Sequence, residues 1–234
     1  MRRIAAVRAR TLLGLLALPW MVGGCTGSLF KTQVAPPTMY LLSAAPVSGP
    51  AAIVAAPAGA AGGFNAELAV LKPRVRAGLD TERIAALYPD RRLDYFADAR
   101  WSGPLDEVIQ NLVVQLFHSY SGLTDVSGDA SAFASAYWLE IEVADFQAEY
   151  PAAVATGTAA SAAAAPTVRV HFLARLGSSG ERRVIARFEA EAREPAASNR
   201  MSAIVDAYNR AADQALMQIA ASCVTALAST ESKN

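Results

Sequence analysis

The sequence is sparing with the side chains that perform chemistry. Its 234 residues include two cysteines, Cys25 and Cys223, and two histidines, His118 and His171. One free thiol apart from Cys25 excludes an intramolecular disulfide framework, and Cys223 is expected as a buried, inert thiol in the last helix. Neither histidine has Cys, His or acidic neighbours at metal-ligand spacing, so no metal site is expected. No H-E-x-x-H, G-x-S-x-G or G-x-x-x-x-G-K-[ST] pattern occurs, which removes the common zinc-hydrolase, serine-hydrolase and P-loop readings. Charged residues make up 18% of the chain, and no basic cluster of the kind that binds nucleic acid is present. The longest apolar run, from Thr11 to Val22, falls short of the ~20 residues needed to span a bilayer.

What that short run does have is context. Arg2, Arg3, Arg8 and Arg10 precede it with no acid among them, and Val22-Gly23-Gly24-Cys25 closes it. A basic n-region, a short h-region and small residues at the cut read as a secretory signal peptide over residues 1–24. A thiol directly after Val-Gly-Gly narrows this to a bacterial lipobox, with Cys25 as the lipidated first residue of the mature protein. Each buried acyl methylene contributes ~0.8 kcal/mol, and stable anchoring takes two or more chains. Thr26, rather than Asp, follows Cys25, which favours the outer membrane and a periplasm-facing domain in a Gram-negative envelope. Removing residues 1–24 leaves 17 basic and 21 acidic residues, a formal charge of −4.

The mature chain suits one domain of α+β type, a mainly antiparallel sheet packed against two helices in a two-layer sandwich, over residues 39–228. A lipidated tether spans 25–38 and a tail spans 229–234. Met39 to Leu42 reads as a short strand. Residues 45–63, rich in Ala, Pro and Gly, and 150–166, an Ala/Thr/Gly/Ser repeat, read as flexible loops. Glu67 to Lys72 reads as a strand buried on both faces, ended by Pro73. Thr81–Tyr88, Pro89-Asp90 and Arg91–Phe96 read as a hairpin, with helix as a competitor for Thr81–Leu87.

Leu105, Val108, Ile109, Leu112, Val113 and Leu116 follow helical spacing, with Ser102 as N-cap, Pro104 in the first turn, and Ser121-Gly122 as the stop. Tyr137–Val143, Val168–Arg175 and Arg183–Glu191 alternate as strands, and Gly177-Ser178-Ser179-Gly180 reads as the turn between the last two. Outward Arg169 and Arg175 are placed to pair with Glu140 and Glu142 across an antiparallel sheet. Ile204, Tyr208, Ala211, Ala215, Ile219 and Val224 trace the apolar stripe of a final helix from about Arg200 to Leu227. Tyr40, Pro73, Tyr95, Trp101, Pro104 and Leu105 gather around the first helix. Trp101 is read as a core residue at the helix entrance, with partner contact as the alternative.

The order of the pieces also resembles a known family. The lipobox is followed by Tyr40-Leu41-Leu42, Leu68-Ala69-Val70-Leu71-Lys72-Pro73, Leu79-Asp80-Thr81-Glu82-Arg83-Ile84, Leu93-Asp94-Tyr95-Phe96, Ala99-Arg100-Trp101-Ser102-Gly103-Pro104-Leu105, and Leu139-Glu140-Ile141-Glu142 with Asp145-Phe146. This is similar to the ABC-type transport auxiliary lipoproteins, the lipoprotein subunits of MCE-type lipid transport systems. Members more often carry a second tyrosine at the place of Phe96, and the alanine-rich stretch Ala152–Ala165 is peculiar to this chain.

The resemblance implies a non-enzymatic component with no cofactor. Its partner would be an MCE-domain protein and, through it, an ABC permease and ATPase. It would dock a periplasmic carrier of phospholipid or other hydrophobic cargo at the outer membrane, through strand edges and loops. Any pocket of its own is expected to be small and apolar, and a homo-oligomer is left open. The competing reading is a structural or assembly lipoprotein of the envelope with no transporter partner. A lipid-anchored hydrolase lacks a nucleophile and base constellation.

Overall fold

The computed structural model describes residues 36–44, 66–118, 123–128, 135–152 and 164–231. The expected signal peptide, Cys25, the expected tether to residue 35, the first expected loop and the expected Ser121-Gly122 stop lie outside these residues, as does 153–163 of the second expected loop. All described elements belong to the unit Pro37–Asn234. They run β1 (Thr38–Tyr40), β2 (Ala66–Val70), β3 (Arg74–Val75), β4 (Arg83–Leu87), β5 (Leu93–Trp101), α1 (Leu105–His118), β6 (Leu123–Gly128), β7 (Tyr137–Glu149), β8 (Thr167–Ser178), β9 (Arg183–Pro195) and α2 (Met201–Glu231).

β7 organises the sheet. Along one edge it pairs antiparallel with β8, which pairs antiparallel with β9. Along its other edge it meets three short strands in turn, all parallel: β2 at Tyr137–Leu139, β3 at Glu142–Val143 and β4 at Ala148–Glu149. β2 continues to β6, and β4 to β5 and then β1. The long ladders make the sheet mostly antiparallel, as expected; the short parallel pairings are additions that alternation alone does not encode.

The helices cover one face. α2 packs on β8 and β9, α1 on β2, β3 and β6, and the two helices touch. Alternation explains the burial: Val168, Val170, Phe172, Ala174 and Leu176 of β8 all point into this layer. β7 breaks its alternation once. A bulge between Val143 and Asp145 absorbs Ala144, so that Leu139, Ile141, Val143, Phe146 and Ala148 all stay on the core side.

Several expectations need correction. The hairpin over 81–96 is present and its helical competitor is not: Arg83–Leu87 form β4, paired antiparallel with β5. β5 runs past Phe96 to Trp101. α1 starts at Leu105, so Pro104 rather than Ser102 stands directly before it, and the Pro104 carbonyl accepts from Val108 N–H. α2 continues to Glu231, into the expected tail.

Gly177 is a strand residue, facing Trp138 across the β7–β8 ladder. A Cβ there would overlap the Trp138 indole, so the glycine is what lets the ring lie flat on the strand. The turn comes later, with Arg182 at φ 51°. Two strands were not anticipated: β3, only two residues long, and β6, whose Leu-Thr-Asp-Val-Ser-Gly sequence carries weak strand propensity.

Candidate functional site

The face of the sheet away from the helices carries a cleft of about 530 Å³. Its floor is the outward side of β7 after the bulge: Asp145, Gln147 and Glu149 project there at every second residue. The bulge produces this arrangement, because it places Phe146 inward and its neighbours outward. Arg169 of β8 closes the floor from one side. Arg76, Ala77 and Leu79, after β3, form one wall, and the β4–β5 hairpin supplies Leu87, Tyr88, Pro89, Arg91 and Leu93. Tyr150 stacks on Tyr88 with ring centroids 5.1 Å apart and planes 6° from parallel.

The floor is nearly buried yet polar; Asp145 is 7% exposed and Gln147 5%. Burying a carboxylate is costly unless it is paired, and Asp145 is paired on every side. Arg76 Nη1 donates to Oδ1 at 3.0 Å and Gln147 Nε2 donates to the same oxygen at 3.3 Å. On Oδ2, Arg169 Nη2 lies at 3.4 Å and His171 Nδ1 at 3.6 Å. Glu149 takes Arg169 and Gln147 on one oxygen and Arg193 on the other.

Arg169 also faces Glu191, with Nε 3.1 Å away at ion-pair range but outside hydrogen-bond alignment, and Nη2 at 3.4 Å. Burial pushes the Arg169 guanidinium down, and the carboxylates of Asp145, Glu191 and Glu149 outweigh it, for a net rise. A hydrogen bond from Arg193 holds the Glu191 carboxyl below its ordinary value. Burial beside Tyr88 raises the Tyr150 phenol.

The hairpin tip is built on a tight turn. Arg91 N–H donates to Tyr88 O at 2.9 Å and Tyr88 N–H to Arg92 O at 3.0 Å, with Pro89-Asp90 between. Such a loop needs a left-handed residue before the return strand, a place where glycine is usual. Arg91 occupies it at φ 67°, at a backbone cost of about 1 kcal/mol or more. Among the described residues Arg91 has no ion-pair partner, whereas Arg92 is tied to Asp90, Asp94 and the Tyr88 ring.

The residues singled out from sequence do not converge on one site. Trp101 is 1% exposed, at the centre of an aromatic cluster: edge-on to Phe146 at 5.8 Å and to Tyr208 at 5.2 Å. The Tyr208 hydroxyl donates to Ala85 O at 2.8 Å. Leu105 and Pro73 are buried, Pro104 leads into α1, and Tyr40 packs half-buried on the core. Arg83 and Tyr95 do meet, with the guanidinium carbon 4.1 Å from the ring centre, and the Tyr95 hydroxyl donates to Gly78 O at 2.7 Å. That carbonyl belongs to a glycine at φ 90°. Cys25 lies outside the described residues.

Of the expected charge pairs, Arg175 reaches Glu140 at 3.0 Å, joined there by Arg74. Arg169 turns to Asp145, Glu149 and Glu191 instead. His118 is exposed at the end of α1, and His171 lies outward between Asp145 and Glu189. The pocket itself departs from the apolar expectation, being charged at its base and mixed on its walls, where arginines stand beside leucines. Arg76, Tyr88, Arg91, Gln147 and Tyr150 were not singled out from sequence. Two signals for them were present: the broken alternation at Val143-Ala144-Asp145, and an arginine where a hairpin favours glycine.

A family model described as ABC-type transport auxiliary lipoprotein component matches residues 40–220. Among solved structures, a Xanthomonas campestris protein assigned to the family DUF330 superposes with a TM-score of 0.66 at 21% identity, over 84% of this chain and 100% of its own. A second structure, of a protein described as uncharacterized, gives 0.55 at 15% identity over 79% of this chain and 97% of its own. At those identities the likeness is one of fold. A comparison with curated proteins gives no match.

Proposed function

This chain belongs to the ABC-type transport auxiliary lipoprotein family, and on that premise we propose that it is the lipid-anchored accessory subunit of an MCE-type ABC transport system. It docks the periplasmic, lipid-carrying MCE component at the outer membrane and works by binding rather than by chemistry. The family match over most of the globular unit is the observation that carries this reading.

Three further observations support it. The lipobox at Cys25 supplies an anchor, and no described helix is long and apolar enough to cross a membrane. Acyl chains on Cys25 therefore hold the domain at the membrane surface. His171, the histidine nearest the cleft, is fixed between two carboxylates, which suits a structural role better than proton transfer. The outer face presents arginines, tyrosines and an exposed leucine around a cleft, a composition enriched where proteins meet proteins.

The test is affinity purification of the tagged, full-length lipoprotein after crosslinking in cells. MCE-domain protein, permease and ATPase are expected in the eluate. Their repeated absence, with detection of outer-membrane assembly factors instead, would move the protein to the envelope-assembly reading. Anchoring has its own readout: wild type incorporates labelled palmitate and fractionates with the outer membrane, and Cys25→Ala does neither while staying folded.

A further inference from the structure

We infer that the outer-face cleft is where the partner docks, and that it takes a segment in which an acidic side chain stands next to an apolar one. This rests on the accessory-subunit reading and adds the surface and the chemistry of the contact. The lining carries both halves of the recognition. Leu79, Leu87 and Leu93 give the walls apolar patches, and Leu93, at 37%, is one of four exposed large hydrophobic side chains among the described residues, with Met39, Leu41 and Met217, and of these four it alone lines the cleft. A partner that covers it removes that apolar surface from water.

The charge balance decides the sign of the other half. Asp145 and Glu149 each accept from several donors within the fold, so they have little left for a ligand. Arg169 is consumed by the same carboxylates. Arg76 commits Nη1 to Asp145 while its side chain stays 65% exposed. Arg91 is exposed and, among the described residues, without an ion pair. The uncommitted groups are therefore cationic, and they complement an acidic side chain.

Arg91 is also held in a backbone conformation that would suit glycine better, and strain retained at a rim residue is a mark of use. The choice of a protein partner over a lipid comes from the rest of the lining. The stacked Tyr88–Tyr150 pair and the arginines are the residue types that anchor protein interfaces, and a nearly buried floor of charged and amide groups is a poor bed for an alkyl chain.

The test places a photoreactive benzophenone side chain at Leu93, on the cleft rim, or at Met217, on α2, in the full lipoprotein expressed in cells. The crosslinked peptide from position 93 is expected to come from a transport-system component and to contain Asp or Glu within two residues of an apolar one. Arg91→Glu should lower the yield at least about tenfold, as for loss of a charge-complementary contact. Arg91→Gly, which fits the turn and leaves the fold intact, should also lower it. Reversing the partner's acid to lysine should restore the yield with Arg91→Glu.

Capture of the partner from position 217 and not from 93 overturns the cleft assignment and leaves the accessory reading standing. Capture from neither position overturns both. Crosslinking of position 93 to lipid, or an undiminished yield with Arg91→Gly, overturns the docking proposal.

Discussion

The two faces of β7 use one stretch of backbone for opposite purposes. Toward the helices, Leu139, Ile141, Val143, Phe146 and Ala148 are almost fully buried, and Phe146 joins Trp101, Tyr208 and Phe172 in one aromatic cluster. Burial of a large apolar side chain contributes ~1.5–3 kcal/mol, and dense packing leaves little tolerance for change. Toward solvent, Glu140, Asp145 and Glu149 pair with arginines of neighbouring segments, and Gln147 donates to Asp145 and Glu149 on either side of it. Pairs in which the arginine stays largely solvated, as Arg74 and Arg76 do, contribute ~0–1 kcal/mol each. Stability therefore resides on the inner face, and the outer face can be rearranged at small cost. That freedom suits a surface shaped for a partner.

If the comparison holds, substitutions should rank by face. Trp101→Ala empties the centre of the aromatic cluster and is expected to cost ~3–5 kcal/mol, read as a shift in the chemical-denaturation midpoint. Gly177→Ala drives a methyl group into the Trp138 ring and is expected to cost about 1–3 kcal/mol. The double variant with Trp138→Ala should recover part of this, since it removes the obstacle; an additive result would break the explanation.

On the outer face, Asp145→Asn weakens the contacts to Arg76 and Arg169. Its cost is expected at about 1–2 kcal/mol, below a fully buried pair because Arg76 is largely solvated. A loss as large as that of Trp101→Ala would erase the distinction between the faces.

The smallest effect concerns pH. Arg193 holds the Glu191 carboxyl below its ordinary value of 4.5, so the folded state binds fewer protons than the unfolded one in that range. The associated stability is present above about pH 4.5 and is lost as pH falls through the lowered folded value. Melting curves at acid pH should show a slightly steeper decline for wild type than for Glu191→Gln. High salt should shrink the difference because the pair is exposed.

The inner face was legible in the sequence because apolar periodicity reports burial directly. The stripe from Ile204 to Val224 and the alternation from Val168 to Ala174 both appear as read. Which strands are neighbours was less legible, since alternation encodes the face a residue takes and not the strand beside it. β2, β3 and β4 thus line up in parallel along one edge of β7 without a local signal. β6 was missed because Asp125, Ser127 and Gly128 carry weak strand propensity, and its pairing with β2 is a tertiary effect.

Gly177 was misread for a related reason: Gly-Ser-Ser-Gly looks like a turn throughout, and the need for glycine comes from a tryptophan almost forty positions away in sequence. The cleft was the least legible part. Its lining comes from four separate segments around Arg76, Tyr88, Gln147 and Arg169, so no contiguous motif marks it.

The most direct test of the division between faces is hydrogen–deuterium exchange of the full protein, with and without the purified MCE-domain protein proposed as its partner. The partner should slow exchange at 76–79, 87–93 and 145–150 and leave α2 unchanged. Protection confined to α2 or to β9, with the cleft segments exchanging as in the free protein, would contradict the account.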